Sequence, residues 1–366
     1  MDALDALSLC LSHLGTHLDV MEGVDCLTPR PQSPKCAFVV LVMKGDYYVP
    51  GALVTAHSLK KSRTQHDVVC MVTDDVSANA RQTLKLVFDK VVDIDYITAP
   101  CKPLHGDYQQ TTYGKWIGQG MTALRCLWLY EYPKVCLLDA DITIIRNMDS
   151  VFDLPAPAGS FTNNFHRSHF MYPQHMKHGD PVPSECIMES LNTPGAFVCI
   201  FNCLLLAPGV ETSREFLKYI DHYSSHGRSL GFKCKSVPQE QVVSHFFAHW
   251  MGQTWSDISL QYQYIPWKHK PKRGPPYLLH YFDIKPWAMH VDAFPDLQVW
   301  WASAREICAK HPDAIHCFPP DSVHNMQLVT KDTGRVSCFF CGKNHNFIDF
   351  YRNIIQCPEI TEVTEH

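Results

Sequence analysis

Two acids stand two residues apart at the end of an apolar run, Leu137-Leu138-Asp139-Ala140-Asp141. In extended chain, positions i and i+2 point to the same side, so the two carboxylates repel unless a cation lies beside them. Oxygen ligands of this kind suit Mn2+ or Mg2+. A hard cation there can neutralise the charge that builds on a departing diphosphate. A bare Asp-x-Asp is more often a cap on the turn after a strand. The second signal is His280-Tyr281-Phe282-Asp283-Ile284-Lys285-Pro286-Trp287, which follows the apolar Tyr277-Leu278-Leu279. A neutral imidazole can give a nitrogen ligand to a borderline metal. Lys285 can meet a diphosphate as a compact charge, and Pro286 and Trp287 would stiffen the loop. Alone, one His among 21 is usually structural and one Lys is usually a solvated surface charge.

The surrounding pattern supplies elements to position these groups. Ala37–Met43 is a continuous apolar run of strand length, as in a parallel strand buried on both faces. A helix is predicted over Gly51–Lys61, a strand over Asp67–Thr73, a helix over Ser77–Phe88 and a strand over Val91–Ile94. Met121, Leu124 and Trp128 fall at helical spacing before Pro133, and Val135–Leu138 is a fourth strand. Repeated β-α-β units predict an α/β fold with a mainly parallel, doubly wound sheet. Such sheets bind ligands beyond the carboxyl ends of their strands. Further on, Ala196–Leu206 reads as a strand and Thr212-x-x-Glu215 as a capping box for a helix to about His222. Ser236-x-x-Gln239 opens another helix, whose apolar face is Val242, Val243, Phe246, Phe247 and Trp250. Leu297, Trp300, Trp301, Ala304 and Cys308 mark a last amphipathic helix.

Three segments follow from this reading: an extension over 1–34 ending in a Pro-rich linker, a catalytic domain over 35–310, and a Cys/His-containing tail over 311–366. The 366 residues are 46% hydrophobic, enough for a real core, and the net charge of −5 lacks the basic excess of a nucleic-acid scaffold. Residues 1–20 show no signal-peptide pattern, and no run of about 18 apolar residues predicts a membrane span. The 16 cysteines therefore read mostly as reduced thiols of a cytoplasmic protein. In the tail, Cys338, Cys341, His345 and Cys357 form a candidate Zn2+ set with one knuckle spacing, set against unpaired cysteines in a loose tail.

Several ordered motifs resemble glycosyltransferase family 8, the glycogenin-like group, from about Ala37 to Ile307. They are Ala37-Phe38-Val39 with Tyr48-Val49-Pro50-Gly51-Ala52-Leu53-Val54 and Ser58-Leu59-Lys60; Val76-Ser77 with Val87-Phe88-Asp89; and Tyr132-Pro133-Lys134-Val135 with Asp139-Ala140-Asp141, Asn147-Met148-Asp149 and Phe152-Asp153-Leu154. Tyr264-Ile265-Pro266-Trp267-Lys268 and the His280–Trp287 run complete the set. The wording of that last run, with Cys101-Lys102-Pro103, is more closely similar to family 8 proteins of large insect DNA viruses.

The resemblance implies a GT-A fold, a UDP-sugar donor, Mn2+ and transfer with retention of configuration. It puts Asp139, Asp141 and His280 on the metal, and Lys285 on the donor diphosphate. Leu41, Tyr48 and Ala140 line the donor, with Tyr48 near the uracil. Glu240-Gln241 stands where the family has Asp-Gln on the sugar side. The acceptor, a glycan, protein or small molecule, is not named, and a homodimer is left open.

Departures from the family are equally specific. Ala123 stands where the family has a Lys, with Lys115 earlier in the chain. Phe201-Asn202-Cys203-Leu204 is only close to the family's Phe-Asn-x-Gly, and the run from His280 to Lys285 is one residue shorter than in glycogenin. Ala123 motivates an alternative, a nucleotide-sugar-binding protein with weak or no turnover. A metal-dependent phosphoesterase would use Asp-x-Asp but gives Tyr-x-x-Gly-Ala-Leu and Lys-Pro-Trp no role. An adaptor acting through its tail is a third reading.

Overall fold

The computed structural model describes residues 34–329 apart from 105–106, 108–109, 112–113, 162–175, 266–275, 283–284 and 294–295, and two short strands beyond them. The chain begins its regular structure with β1 (Ala37–Val42), α1 (Val49–Lys61), β2 (Asp67–Val72), α2 (Ala78–Val87) and β3 (Lys90–Asp93). A 3-10 helix, Ile117–Trp128, leads to β4 (Val135–Leu138) and β5 (Ile142–Ile144). Then come β6 (Ala158–Ser160), β7 (Pro181–Val182), α3 (Ser184–Asn192), β8 (Ile200–Leu206), α4 (Val210–Ser224), α5 (Pro238–His245) and β9 (Trp255–Asp257). β10 (Leu278–His280), α6 (Leu297–Lys310) and α7 (Ser322–Leu328) follow. The last strands are β11 (Arg335–Ser337) and β12 (Asn344–Asn346).

Eight strands make one sheet in the order β3-β2-β1-β4-β8-β6-β9-β7. The β3-β2-β1-β4 half is parallel, with Val40 opposite both Cys70 and Leu138. From β4 onward the sheet is mixed: β8 runs antiparallel to β4 and β6, and β9 is parallel to β6. Alternate residues of β1 and β2 enter opposite core layers. Phe38, Val40, Val68 and Cys70 pack on one face with α1, Trp300 and Trp301. Val39, Val69 and Met71 pack on the other with Phe216, Val242 and Phe246. That double burial is why these strands read as unbroken apolar runs.

Element ends differ from the sequence expectation where backbone bonding overrides pattern. The helix expected from the spacing of Met121, Leu124 and Trp128 is the C-terminal part of the 3-10 helix, which begins at Ile117. The strand expected from Ala196 starts at Ile200, because a turn closes Ala196 N onto Thr193 O. Thr212 is not a cap: α4 starts from Gly209, three residues earlier. At α5 the first residue outside the helix is Val237 rather than Ser236. Ser236 Oγ instead accepts from Val198 N, and Glu240 returns to Val237 N, the half of a capping box its carboxylate can supply. Ser77 does cap α2, accepting from Ala80 N. Among the described residues, no helix is long and apolar enough to cross a membrane.

Candidate metal and donor site

β4 ends at Leu138, and its neighbour β1 ends two residues past the paired Val40. Asp139 therefore leaves the sheet at its carboxyl edge beside Leu41, the expected place for a ligand in a doubly wound sheet. Asp139 N bonds to Asn202 O of β8 at 3.3 Å. The chain then turns through Ala140 and Asp141 into β5. β5 pairs antiparallel with β10, and His280 lies opposite Ile142. Tyr281 N donates to Asp141 O at 2.9 Å, and His280 N donates to Tyr264 O at 2.8 Å. This short ribbon carries His280 back to the acids across most of the chain's second half.

The result is a compact set of donors. His280 Nε2 lies 3.5 Å from Asp139 Oδ2 and 3.5 Å from Asp141 Oδ1. Both distances are too long for good hydrogen bonds. The three potential ligand atoms lie within 4.8 Å of one another. Ligands on a small divalent cation stand roughly 3–4 Å apart, so the spacing and the two-oxygen, one-nitrogen chemistry fit Mn2+ or Mg2+. His280 is 3% exposed and Asp141 7%, whereas Asp139 is 41% exposed and faces the open side. His280 Nδ1 is buried without a hydrogen-bond partner among the described residues.

Lys285 completes the cluster. Its ammonium pairs with Asp141 Oδ2 and donates to Phe282 O at 2.8 Å and Tyr281 O at 3.3 Å. It also stands 5.8 Å above the Tyr48 ring. Tyr48 packs edge-on against Trp287 at 5.5 Å, with Tyr47 exposed beside both rings. Burial resists ionisation of Asp141, but Lys285 and His280 outweigh it and hold this carboxyl well below its ordinary range. Asp139 goes the other way: although its side chain is partly open, desolvation by the chain packed around it, then the neighbouring Asp141 charge, push it up to about 6. The Tyr48 phenol is pushed up to about 12, chiefly by burial.

Glu240 and Gln241 are both held by backbone groups. Glu240 accepts from Phe201 N at 3.3 Å and Val237 N at 3.2 Å, and burial, with a smaller push from Asp139, raises its carboxyl to about 8. The Gln241 amide is engaged by backbone, taking Phe232 N and giving to Cys234 O and Ser236 O. Asn202 is buried in β8 and donates to Tyr262 O at 3.2 Å. Ala123 is buried in the 3-10 helix and Lys115 is exposed. Cys338, Cys341 and Cys357 lie outside the described residues, as do residues 266–268, and of His345 only its place in β12 is described.

Residues of α1 that the sequence reading left without a role turn out to brace the acids. A Cβ on Gly51 would stand 2.3 Å from Ala140 O and 2.5 Å from the Trp287 ring, so only glycine lets the helix approach. Thr55 Oγ1 donates toward Ile142 O at 2.8 Å, with Ala140 O at 3.2 Å, and Ser58 Oγ accepts from Ile144 N at 3.0 Å. The available signal was a polar Thr inside the apolar run Ala52-Leu53-Val54-Thr55-Ala56.

Comparison with known proteins follows the same lines. No protein-family model matches the chain. It is 26% identical over 261 residues to uncharacterized protein R707 of Acanthamoeba polyphaga mimivirus, covering 69% of this chain and 82% of that one. It is 34% identical over 142 residues to human glycogenin-1, which is 37% of this chain but only 39% of glycogenin-1. Over 127 residues it is 28% identical to UDP-glucuronate:xylan alpha-glucuronosyltransferase 1 of Arabidopsis thaliana, 35% of this chain and 18% of that one. Over these stretches the chain is similar in sequence to named glycosyltransferases, and it spans less than half the length of each of them.

Proposed function

We propose that this enzyme is a metal-dependent, retaining glycosyltransferase that moves a hexose from a UDP-sugar to an acceptor hydroxyl. The observation that carries the reading is the convergence of Asp139, Asp141 and His280 beside Lys285 at the carboxyl edge of the sheet. The sequence relatives support the reaction class. The further resemblance to family 8 proteins of large insect DNA viruses rests on motif wording, with the similarity to the mimivirus protein as its one parallel among the relatives named above. The described cysteines are free thiols, which supports action in a reducing compartment, the cytoplasm.

Asp139, Asp141 and His280 would hold Mn2+ or Mg2+, which supplies charge neutralisation for a leaving diphosphate when bound. The chain's own groups do the rest. Lys285 binds a phosphate oxygen and lowers the cost of charge building there. Tyr48, fixed edge-on to Trp287, offers its ring as a wall for the base. Leu41 and Ala140 line the floor where the donor enters. Glu240 lies on the sugar side, and its raised pKa lets it act as a neutral hydrogen-bond donor near pH 7. Gln241 supports that wall by bracing the 232–236 loop. The acceptor hydroxyl attacks the anomeric carbon from the face the diphosphate leaves; the bond from that carbon to the phosphate oxygen breaks as the new one forms, and the hydroxyl proton passes to the departing diphosphate.

The test is UDP release from a panel of UDP-sugars by purified protein, with Mn2+ and with EDTA, beside Asp141→Ala. Slow release from one donor, lost with EDTA and in the variant, supports the reading and names the sugar. Donor binding without turnover against any acceptor favours an inactive binder, the role suggested by Ala123. Absence of donor binding overturns the nucleotide-sugar reading.

A further inference from the structure

β5 follows directly on Asp141 yet is only three residues long, and among the described residues its one strand neighbour is β10. Its other edge faces α1, where side chains do what a neighbouring backbone would do. Ser58 Oγ accepts from Ile144 N at 3.0 Å and donates to Thr55 O at 2.9 Å. Thr55 Oγ1 reaches both Ile142 O at 2.8 Å and Ala140 O at 3.2 Å. These carbonyls belong to the residues before and after Asp141, so one hydroxyl shares its proton between the two neighbours of the acid. Thr55 is fully buried, and a buried hydroxyl is costly unless bonded. Threonine inside a helix usually turns back to its own helix's carbonyls. Thr55 instead gives its only proton to the acid-bearing segment. Gly51, one turn earlier, permits the approach.

We propose that Thr55 is a positioning residue for the cation site, holding the Ala140–Ile142 backbone so that the Asp141 carboxylate meets Asp139 and His280. This rests on the reading that those three residues bind a divalent cation. Groups behind metal ligands set ligand orientation, and their loss typically costs about tenfold or more in metal affinity.

The experiment is Mn2+ titration of the full chain followed by electron paramagnetic resonance, which reads free Mn2+ directly, without any turnover. Wild type, Thr55→Val, Thr55→Ala and Thr55→Ser are compared, each with a thermal melt in EDTA. Expected is Mn2+ binding by the wild type, about tenfold weaker binding by folded Thr55→Val or Thr55→Ala, and recovery in Thr55→Ser. Wild-type affinity in folded Val or Ala variants that melt lower would overturn the proposal, leaving Thr55 a purely structural hydroxyl. Wild type that binds no Mn2+ would overturn the underlying metal reading, a result distinct from equal binding by all four proteins.

Discussion

Lys285 closes its ammonium on the carboxylate of Asp141, a residue 144 positions earlier in the chain. The pair joins the loop after β10 to the turn before β5 and keeps Asp141 ionised. Under the proposed function, the same ammonium would meet the donor's diphosphate. Lys285→Met should therefore weaken UDP binding and cut donor hydrolysis by about a hundredfold or more. Calorimetry with UDP and steady-state kinetics check both. Unchanged UDP affinity would assign Lys285 a purely internal role.

Asp139 and Asp141 should be separable by exposure. Asp141→Asn keeps the shape but leaves Lys285 facing an amide, so both Mn2+ binding and stability should fall. Asp139→Asn removes a more exposed, repelled carboxylate; Mn2+ binding should fall while the melting temperature in EDTA holds or rises. Paired melts and Mn2+ titrations read this difference, and equal losses of stability would contradict it.

A cation competes with protons for Asp139, whose carboxyl is raised to about 6. Above that pH the ligand is ionised; below it, the ionised fraction falls about tenfold with each pH unit. Mn2+ affinity should be flat from pH 7 to 8 and decline as pH falls through about 6. Affinity that stays flat to pH 5 would place the Asp139 carboxyl in its ordinary range.

Glu240 offers a stability test of the opposite chemistry. An acid raised from 4.5 to about 8 on folding favours the fold while protonated and loses that advantage as pH climbs between those values. Glu240→Gln cannot ionise. The melting temperature of the variant should therefore gain on the wild type from pH 5 to pH 9. A gap constant with pH would show that Glu240 titrates normally.

Gly51→Ala places a methyl against Ala140 O and the Trp287 ring. The helix must retreat or the acid segment must shift, at a cost of about 1–3 kcal/mol. The variant should melt lower and bind Mn2+ more weakly, since the displaced carbonyl belongs to the residue between the two acids. A crystal structure of the variant with α1, the Ala140 segment and Trp287 all unmoved would contradict the steric account.

Much of this was legible in the linear chain, for local reasons. Unbroken apolar runs such as Ala37–Val42 and Val135–Leu138 have the length and composition of strands covered on both faces, and an acid pair directly after one of them is then placed at a sheet edge. The spacing of Leu297, Trp300, Trp301 and Ala304 fixed the buried face of α6 in the same way. Other features depend on which backbones meet, and no local pattern encodes that. Thr212 and Ser236 carried capping signatures, yet Gly209 and Val237 precede the helices, because other bonds set where each helix begins. Gln241 matched a sugar-side position by wording, but its amide is held by Phe232, Cys234 and Ser236. Sequence by itself determined which side chains could bind a cation and the strand from which two of them leave. Only tertiary structure decided that β10 pairs with β5, bringing His280 to the acids, and that Thr55 faces their backbone. Hydrogen-bonded contact between segments far apart in the chain is a property of the folded whole.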